Sequence, residues 1–236
     1  MSALVVDDLS VAFGGFRALD GLSLAIDEGE VRGVIGPNGA GKTTLLDVIS
    51  GITRPRSGRV TLGDGTDLTR ASEAAIAKAG VRRKFQKPSV FPALTVAENL
   101  EIGCGGDCPA RERPARIAEA LATAGLEPQA GRLAGELGHG EKQWLEIGMV
   151  IASRPTVLLL DEPVAGLSDA ETERTVALIR ALRRPDRAIV VVEHDMAFVE
   201  AVADRVTVLH EGRTLYEGAM TGARADPRVI EVYLGR

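Results

Sequence analysis

Residues Gly36-Pro37-Asn38-Gly39-Ala40-Gly41-Lys42-Thr43-Thr44 carry the pattern G-x-x-x-x-G-K-[ST], a loop suited to holding phosphate. Small residues let the main chain curl until successive N–H groups point at one polyphosphate. Lys42 brings a cation to the outer phosphates, and the Thr43 hydroxyl is a hard oxygen donor fit for Mg2+. The flanks agree with this reading. Val31-Arg32-Gly33-Val34-Ile35 reads as a short buried strand, and Thr44-Leu45-Leu46-Asp47-Val48-Ile49 as the start of a helix. Strand, glycine loop, helix is the order the chemistry needs, because the helix N-terminus adds its positive dipole end at the same spot. The stretch predicts a nucleoside triphosphate site.

Either side of the loop the chain reads as α/β. Leu4-Val5-Val6, Leu9-Ser10-Val11-Ala12-Phe13 and Leu22-Ser23-Leu24-Ala25-Ile26 alternate apolar and polar residues between turn signals, as antiparallel strands with one covered face do. A strand pair is expected around Arg59-Val60-Thr61-Leu62, followed by a helix near 72–79. Val157-Leu158-Leu159-Leu160 and Ile189-Val190-Val191-Val192 are fully apolar and predict parallel strands buried on both faces. Helical patterns between such runs, notably over 171–182, predict βαβ units. From about 95 to 152 the chain reads mainly as helix and loop, and is expected to form a helical subdomain inserted into one domain spanning 1–236. The end reads as a strand at Val206-Thr207-Val208-Leu209, a turn at Glu211-Gly212, a strand at Thr214-Leu215-Tyr216 and a short helix.

Composition narrows the function. A chain of 236 residues with 45% hydrophobic and 26% charged residues has the balance of a soluble globular protein. It holds no apolar run of about 18 residues and no basic, apolar leader, which predicts a cytosolic location. A net charge of −5 argues against a general nucleic-acid partner. Cys104 and Cys108 lack companion ligands for a structural metal and are expected to be reduced thiols on a loop.

Hydrolysis needs a metal anchor and a group that handles the attacking water. Asp161 and Glu162 follow a buried strand: Asp161 is expected to hold Mg2+, directly or through water, and Glu162 to orient or deprotonate the nucleophile. His194, in Val191-Val192-Glu193-His194-Asp195, follows another buried strand and is placed to contact a γ-phosphate. Gln86, in Lys84-Phe85-Gln86-Lys87, has an amide that reaches either the metal or the water, its flanking lysines reading as a solvated face.

With these residues, Leu137-Gly138-His139-Gly140-Glu141-Lys142-Gln143 resembles the LSGGQ signature of ATP-binding cassette ATPases. The order phosphate loop, Gln86, signature, Asp161-Glu162, His194 extends the resemblance over essentially the whole chain. It implies a phosphate-loop core of the RecA-like type, an N-terminal antiparallel β subdomain, ATP and Mg2+, and two cassettes facing each other. Gly138, His139 and Gly140 would then close over ATP held by the opposite loop, with a helix starting at about Glu141 whose Trp144, Ile147, Gly148 and Ile151 share one buried face. Phe13 stands where the family stacks an aromatic on adenine; Phe16 competes for that role, and a core position is the alternative for either.

Finer motifs, Phe85-Gln86-Lys87-Pro88-Ser89-Val90-Phe91, Asp161-Glu162-Pro163-Val164-Ala165-Gly166 and the terminal Val232-Tyr233-Leu234-Gly235-Arg236, resemble ATP-binding subunits of urea importers in the branched-chain amino acid-type group. That implies two membrane permeases, a second ATP-binding subunit (or a homodimer in isolation), a solute-binding protein upstream, and a place on the cytoplasmic face of the bacterial inner membrane. An amino-acid or short-amide importer is the second reading; a soluble cassette ATPase and a non-hydrolysing regulator are the readings from other classes. Three positions depart from the family pattern: Gly138 for Ser, Glu141 for Gln, and Ser168 for Asp.

Overall fold

The computed structural model describes residues 1–85, 89–106 and 108–234. They cluster into two compact units, one formed by 1–82, 156–162 and 183–236, the other by 83–155 and 163–182.

In the first unit, β1 (Ser2–Phe13), β2 (Phe16–Asp27) and β4 (Ser57–Leu62) form an antiparallel sheet in the order β2-β1-β4. The two N-terminal apolar stretches are one strand. Leu4 and Val6 face the core, the register shifts across Asp7-Asp8, and Leu9 and Val11 face the core again. Asp8, with φ 47°, provides the extra residue of this bulge, and Ser23 Oγ accepts its N–H at 3.0 Å. The strand pair expected around 59–62 is a single strand. Its partner is β1, through Leu4↔Leu62 and Val6↔Val60, because the chain after Leu62 turns back only as far as an isolated bridge between Thr61 and Asp67.

The second sheet has the order β5-β6-β7-β3-β8-β9. Every residue of β3 (Val31–Ile35), β6 (Val157–Asp161) and β7 (Ala188–Val192) is buried, which is why these strands lack polar alternation. β8 (Arg205–His210) runs parallel to β3, and β9 (Arg213–Gly218) folds back on β8 through a two-residue turn whose Glu211 and Gly212 both have positive φ. β5 (Val81–Lys84) lies at the opposite edge. One apolar core joins the antiparallel sheet (Leu4, Val6, Ile26), helix α1 (Lys42–Ile49, through Leu45 and Ile49) and the mixed sheet (Val34, Leu159, Val190). The helix expected near 72–79 is α2 (Glu73–Lys78), α7 (Met196–Val202) follows β7, and the chain ends in two short helices, α8 (Met220–Ala225) and α9 (Pro227–Leu234), where one was expected.

Arg32 is the exception inside β3. Its guanidinium is fully buried and meets Glu30 at 2.5 Å, Thr207 Oγ1 at 3.0 Å, Glu217 at 3.3 Å and the Ala25 carbonyl at 3.0 Å. Arg32→Met leaves the buried Glu30 carboxylate without its cation, so stability should fall by about 3–5 kcal/mol. A lower urea midpoint at unchanged slope is the expected measurement.

The second unit is helical: α3 (Val96–Cys104), α4 (Arg113–Ala124), α5 (His139–Ala152) and α6 (Asp169–Ala181). Thr95 and Ser168 cap α3 and α6, each in a reciprocal pair with a glutamate three residues on, Glu98 and Glu171. The Trp144, Ile147, Gly148 and Ile151 face of α5 is buried as expected. Trp144 donates to Thr175 Oγ1 at 3.0 Å, and the Arg174 guanidinium stacks 3.8 Å from its ring. Gly148 is small because Leu100 of α3 would stand 2.9 Å from any Cβ there. Cys104 and Cys108 are free and both are buried; Cys108 lies on a loop as expected, whereas Cys104 ends α3, which corrects the loop expectation for that residue.

Candidate active site

Parallel register brings the first unit's chemistry to one sheet edge. Val34 pairs with Val192, and Asp161 pairs with Val192 from the other side. Gly36, Glu162 and His194 therefore leave the sheet at the carboxyl ends of three adjacent strands, the edge where open α/β sheets bind ligands.

The phosphate loop takes its shape from glycine. Gly39 (φ 78°) has open space around it and is needed for its dihedral alone. Gly41 (φ 105°) is needed for space as well, since a Cβ there would lie 2.6 Å from the Ala18 carbonyl oxygen. Gly212 of the β8–β9 turn presses on the same carbonyl, its N–H donates to the Ala40 carbonyl at 3.1 Å, and its own carbonyl accepts from Asp20 N–H at 3.0 Å. The loop is thus gripped by main chain of β2 and of the β8–β9 turn. Helix α1 begins at Lys42, two residues before the expected start, so Lys42 and Thr43 lie in its first turn.

Lys42 Nζ donates to the carbonyls of Gly36 (2.7 Å) and Pro37 (2.9 Å). Burial pulls its pKa down, while the carboxylates of Glu162 and Asp161 hold it up, so a cation and two anions converge within the site. Asp161, the last residue of β6, is buried; Thr43 is exposed. Glu162 has φ 46° and is fixed by its N–H to the Val192 carbonyl at 2.9 Å. Its Oε1 lies 2.9 Å from His194 Nε2. Strain at a non-glycine residue carrying this contact fits a positioned catalytic group. Phe13 and Phe16 are 53% and 60% exposed at the tip of the β1–β2 hairpin, which removes the core alternative for both.

In the second unit Gly138 caps α5, so the helix starts two residues earlier than expected and Glu141 falls in its first turn. The Glu141 carboxylate accepts the Gly138 N–H at 2.9 Å and Gln129 Nε2 at 3.2 Å. The anion that replaces the family glutamine is thus turned back onto its own helix. His139 Nε2 sits 3.2 Å from the Ala165 carbonyl, and Gly140 is glycine because the Glu171 carboxylate occupies the place of a Cβ. Gln86 lies outside the described residues. Its neighbour Lys84 is not on a solvated face: it is 0% exposed, and its Nζ reaches the buried Glu146 at 3.9 Å.

Sequence reading gave Glu146 and Tyr233 no role of their own. A glutamate one residue from Trp144's partner positions on an otherwise buried helix is a signal that periodicity alone passes over. Burial pushes its carboxyl up to about 7, against the pull of Lys84 and of main-chain donors at Ser89 and Phe85. Burial likewise pushes the Tyr233 phenol up to about 12, with Gly36 main chain drawing it the other way, so α9 reaches the first residue of the phosphate loop.

A family model described as ABC transporter matches residues 19–165. The chain belongs to the ABC transporter family, as one of its ATP-binding cassettes. The cassette is 36% identical over 249 aligned residues to the high-affinity branched-chain amino acid transport ATP-binding protein BraF of Pseudomonas aeruginosa, covering 98% of this chain and 97% of that one. It is 41% identical over 216 residues to the arabinose import ATP-binding protein AraG of Azospirillum brasilense, covering 90% of this chain but only 41% of AraG, about two-fifths of that relative's length. Among solved structures it resembles the ADP conformation of an ATP-binding cassette of an ABC transporter, with TM-score 0.88, 30% identity and 100% of both chains covered. A dimeric bacterial ABC transporter cassette matches with TM-score 0.79 at 27% identity, covering 92% of this chain and 98% of that one. The expected fold is thereby found, and the cassette is an ABC-type ATPase domain. Among the described residues no helix is long and apolar enough to cross a membrane.

Proposed function

We propose that this cassette is the ATP-hydrolysing subunit of an importer, working on the cytoplasmic face of the bacterial inner membrane. The observation that carries the reading is the 2.9 Å contact between Glu162 and His194, set beside buried Lys42 at one sheet edge. In this reading Glu162 orients the attacking water and takes its proton, His194 holds Glu162 and contacts the γ-phosphate, and Lys42 neutralises the outer phosphates. The oxygens of exposed Thr43 and buried Asp161 suit a hard cation, with Gln86 as a further ligand or as a partner of the water. Bound Mg2+ would supply charge neutralisation for the phosphates. The loop from Gly36 to Thr44 cradles the phosphates, and Phe13, free at the hairpin tip, stacks on the base.

Residues 1–236 would act as a single ATP-binding domain whose helical portion, about 95–152, brings Gly138, His139 and Gly140 to the nucleotide of a second ATP-binding subunit. The likeness to a dimeric cassette supports that pairing. Two permeases would dock by the segment around Gln86, where Phe85 and Phe91 are exposed, and a solute-binding protein would act through them. The absent serine hydroxyl at position 138 makes the site that this chain closes the weaker of two. Among the described residues only Glu141 Oε2, at 3.7 Å, approaches the place of a Cβ at Gly138, so a serine fits. Gly138→Ser should speed ATP turnover at the site that this chain closes by about 10-fold or more, the worth of one hydrogen bond to a charged group, and so raise the turnover of the assembled complex toward about double. Unchanged turnover counts against asymmetry.

For the solute, the motifs around Gln86 and Asp161 favour urea. The 36% identity to BraF along 98% of the chain favours a branched-chain amino acid as the second reading. Uptake of labelled urea and labelled leucine into vesicles holding the complete complex separates them: leucine accumulation without urea replaces the first reading by the second.

A further inference from the structure

The chain's two cysteines meet in the helical unit, and the proposed hydrolysis uses neither. Cys104 ends α3, Cys108 lies on the loop after it, and each is 4% exposed. Two successive main-chain turns fold the second back toward the first: Gly105 N–H donates to the Ile102 carbonyl at 3.0 Å, and Cys108 N–H to the Gly105 carbonyl at 3.4 Å. Cys104 S–H then donates to Cys108 Sγ, whose own S–H reaches the Pro109 carbonyl at 3.7 Å. Gly105 has φ 75°, and among the described residues nothing stands within 4 Å of the place of a Cβ at Gly105 or Gly106, so the turn has room to re-form.

Two cations face the pair. Burial and the Cys108 thiol push Cys104 up, and the guanidiniums of Arg116 and Arg113, near the start of α4, pull it back. Arg116 meets Glu112 at 2.8 Å and Arg113 meets Glu101 at 3.4 Å, yet the buried Nε of each arginine has no acceptor among the described residues. A thiolate, the reactive form of cysteine, is the anion such donors suit. Packing does not account for this. A buried cysteine packs as a small apolar residue, which asks neither for a second thiol in contact nor for unpaired cationic donors beside it. Nor do the described residues gather a group of three or more His, Cys, Asp or Glu that could hold a metal ion. Two touching thiols have a different chemistry open to them, because each can resolve the oxidised form of the other.

We propose that Cys104 and Cys108 are a reversible two-electron oxidation site, closed to an intramolecular disulfide by hydrogen peroxide, and that closure slows the cassette by shifting the end of α3 against α5. One thiolate takes an oxygen from peroxide, giving a sulfenic acid as the O–O bond breaks and the first water leaves. The other thiol attacks that sulfur, the S–S bond forms, and the hydroxyl departs as a second water. The cysteines lose two electrons, the peroxide gains them, and both thiol protons end in the two waters. The route to α5 is short. Main chain of Met149 in α5 stands where a Cβ of Gly103 would be, so the last turn of α3 shifts only if α5 yields with it. The oxidation site stands apart from the functional reading given above; its effect on turnover alone rests on that reading, through the signature residues at the start of α5.

The full chain, reduced and then treated with hydrogen peroxide, should yield a peptide spanning both cysteines that is lighter by about 2 Da, with no dimer on a non-reducing gel, and dithiothreitol should reverse the change. The chain has two cysteines, so no other pairing competes within one copy. Cys104→Ala strands Cys108 as a sulfenic acid that dimedone traps, and Cys108→Ala does the same at Cys104. Sulfinic or sulfonic acid in the parent without the joined peptide, or a disulfide found only between two copies, overturns the site, and this measurement needs no variant. The kcat for ATP should fall by about tenfold on oxidation and return on reduction, the scale of a small displacement near reacting groups. The double variant Cys104→Ala with Cys108→Ala, given the same peroxide, should stay within about twofold of its untreated rate, which separates the disulfide from methionine oxidation. A joined peptide with unchanged kcat, or a loss that the double variant shares, keeps the site and overturns its effect on turnover.

Discussion

Glu162→Gln lowers ATP turnover by about 10²–10⁴-fold while ATP binding persists, the loss expected when a general base is replaced by an amide. The amide matches the carboxylate in size and keeps an oxygen to face His194 Nε2, so the 2.9 Å contact survives in outline. What is lost is the capacity to take a proton and the negative charge beside Lys42. The backbone cost of φ 46° is common to both residues, and the N–H to the Val192 carbonyl is untouched, so the fold should be unchanged. Phosphate release under saturating ATP, set beside nucleotide titration of the same sample, is the measurement. Turnover within about threefold of the parent would move the base elsewhere.

Lys42→Met should weaken ATP binding by about 10- to 100-fold, because hydrogen bonds to charged groups contribute about 1.5–3 kcal/mol. Methionine fills a similar volume, so the loss is chemical and not a packing defect. The ammonium is bonded to the Gly36 and Pro37 carbonyls, and the nearby carboxylates of Glu162 and Asp161 oppose the tendency of burial to discharge it. Isothermal titration with ATP, compared with adenosine, should show the loss for the triphosphate alone. Equal weakening of both would mean that Lys42 shapes the pocket without meeting phosphate.

How far the sequence announced this site depends on how local each feature is. The phosphate loop, Asp161-Glu162 and His194 were legible because each sits at the end of an apolar run that had to be a buried strand, and parallel strands in one sheet deliver their ends to one edge. The buried face of α5 was legible because Trp144, Ile147, Gly148 and Ile151 repeat at helical spacing. Failures came where a local pattern meets a distant partner. Val6 and Leu9 look like two strands until the bulge at Asp8 joins them. Arg59 to Leu62 looks like half of a hairpin, whereas its partner, β1, lies more than fifty residues earlier. Lys84 looks like a solvated cation because nothing near it in the chain shows that Glu146 waits in the interior. Glu141 reads only as a replacement for the family glutamine, and the helix start at His139 is what brings its carboxylate onto the Gly138 N–H.

The grip on the Ala18 carbonyl has a consequence for protein engineering. Nine residues from Gly36 to Thr44 spell the motif, but their shape is moulded by main chain contributed from positions 18–20 and 212, at opposite ends of the polypeptide. The motif is therefore not a portable cartridge. Transplanted into another scaffold, it would keep its letters and lose its form unless the two outside supports travelled with it.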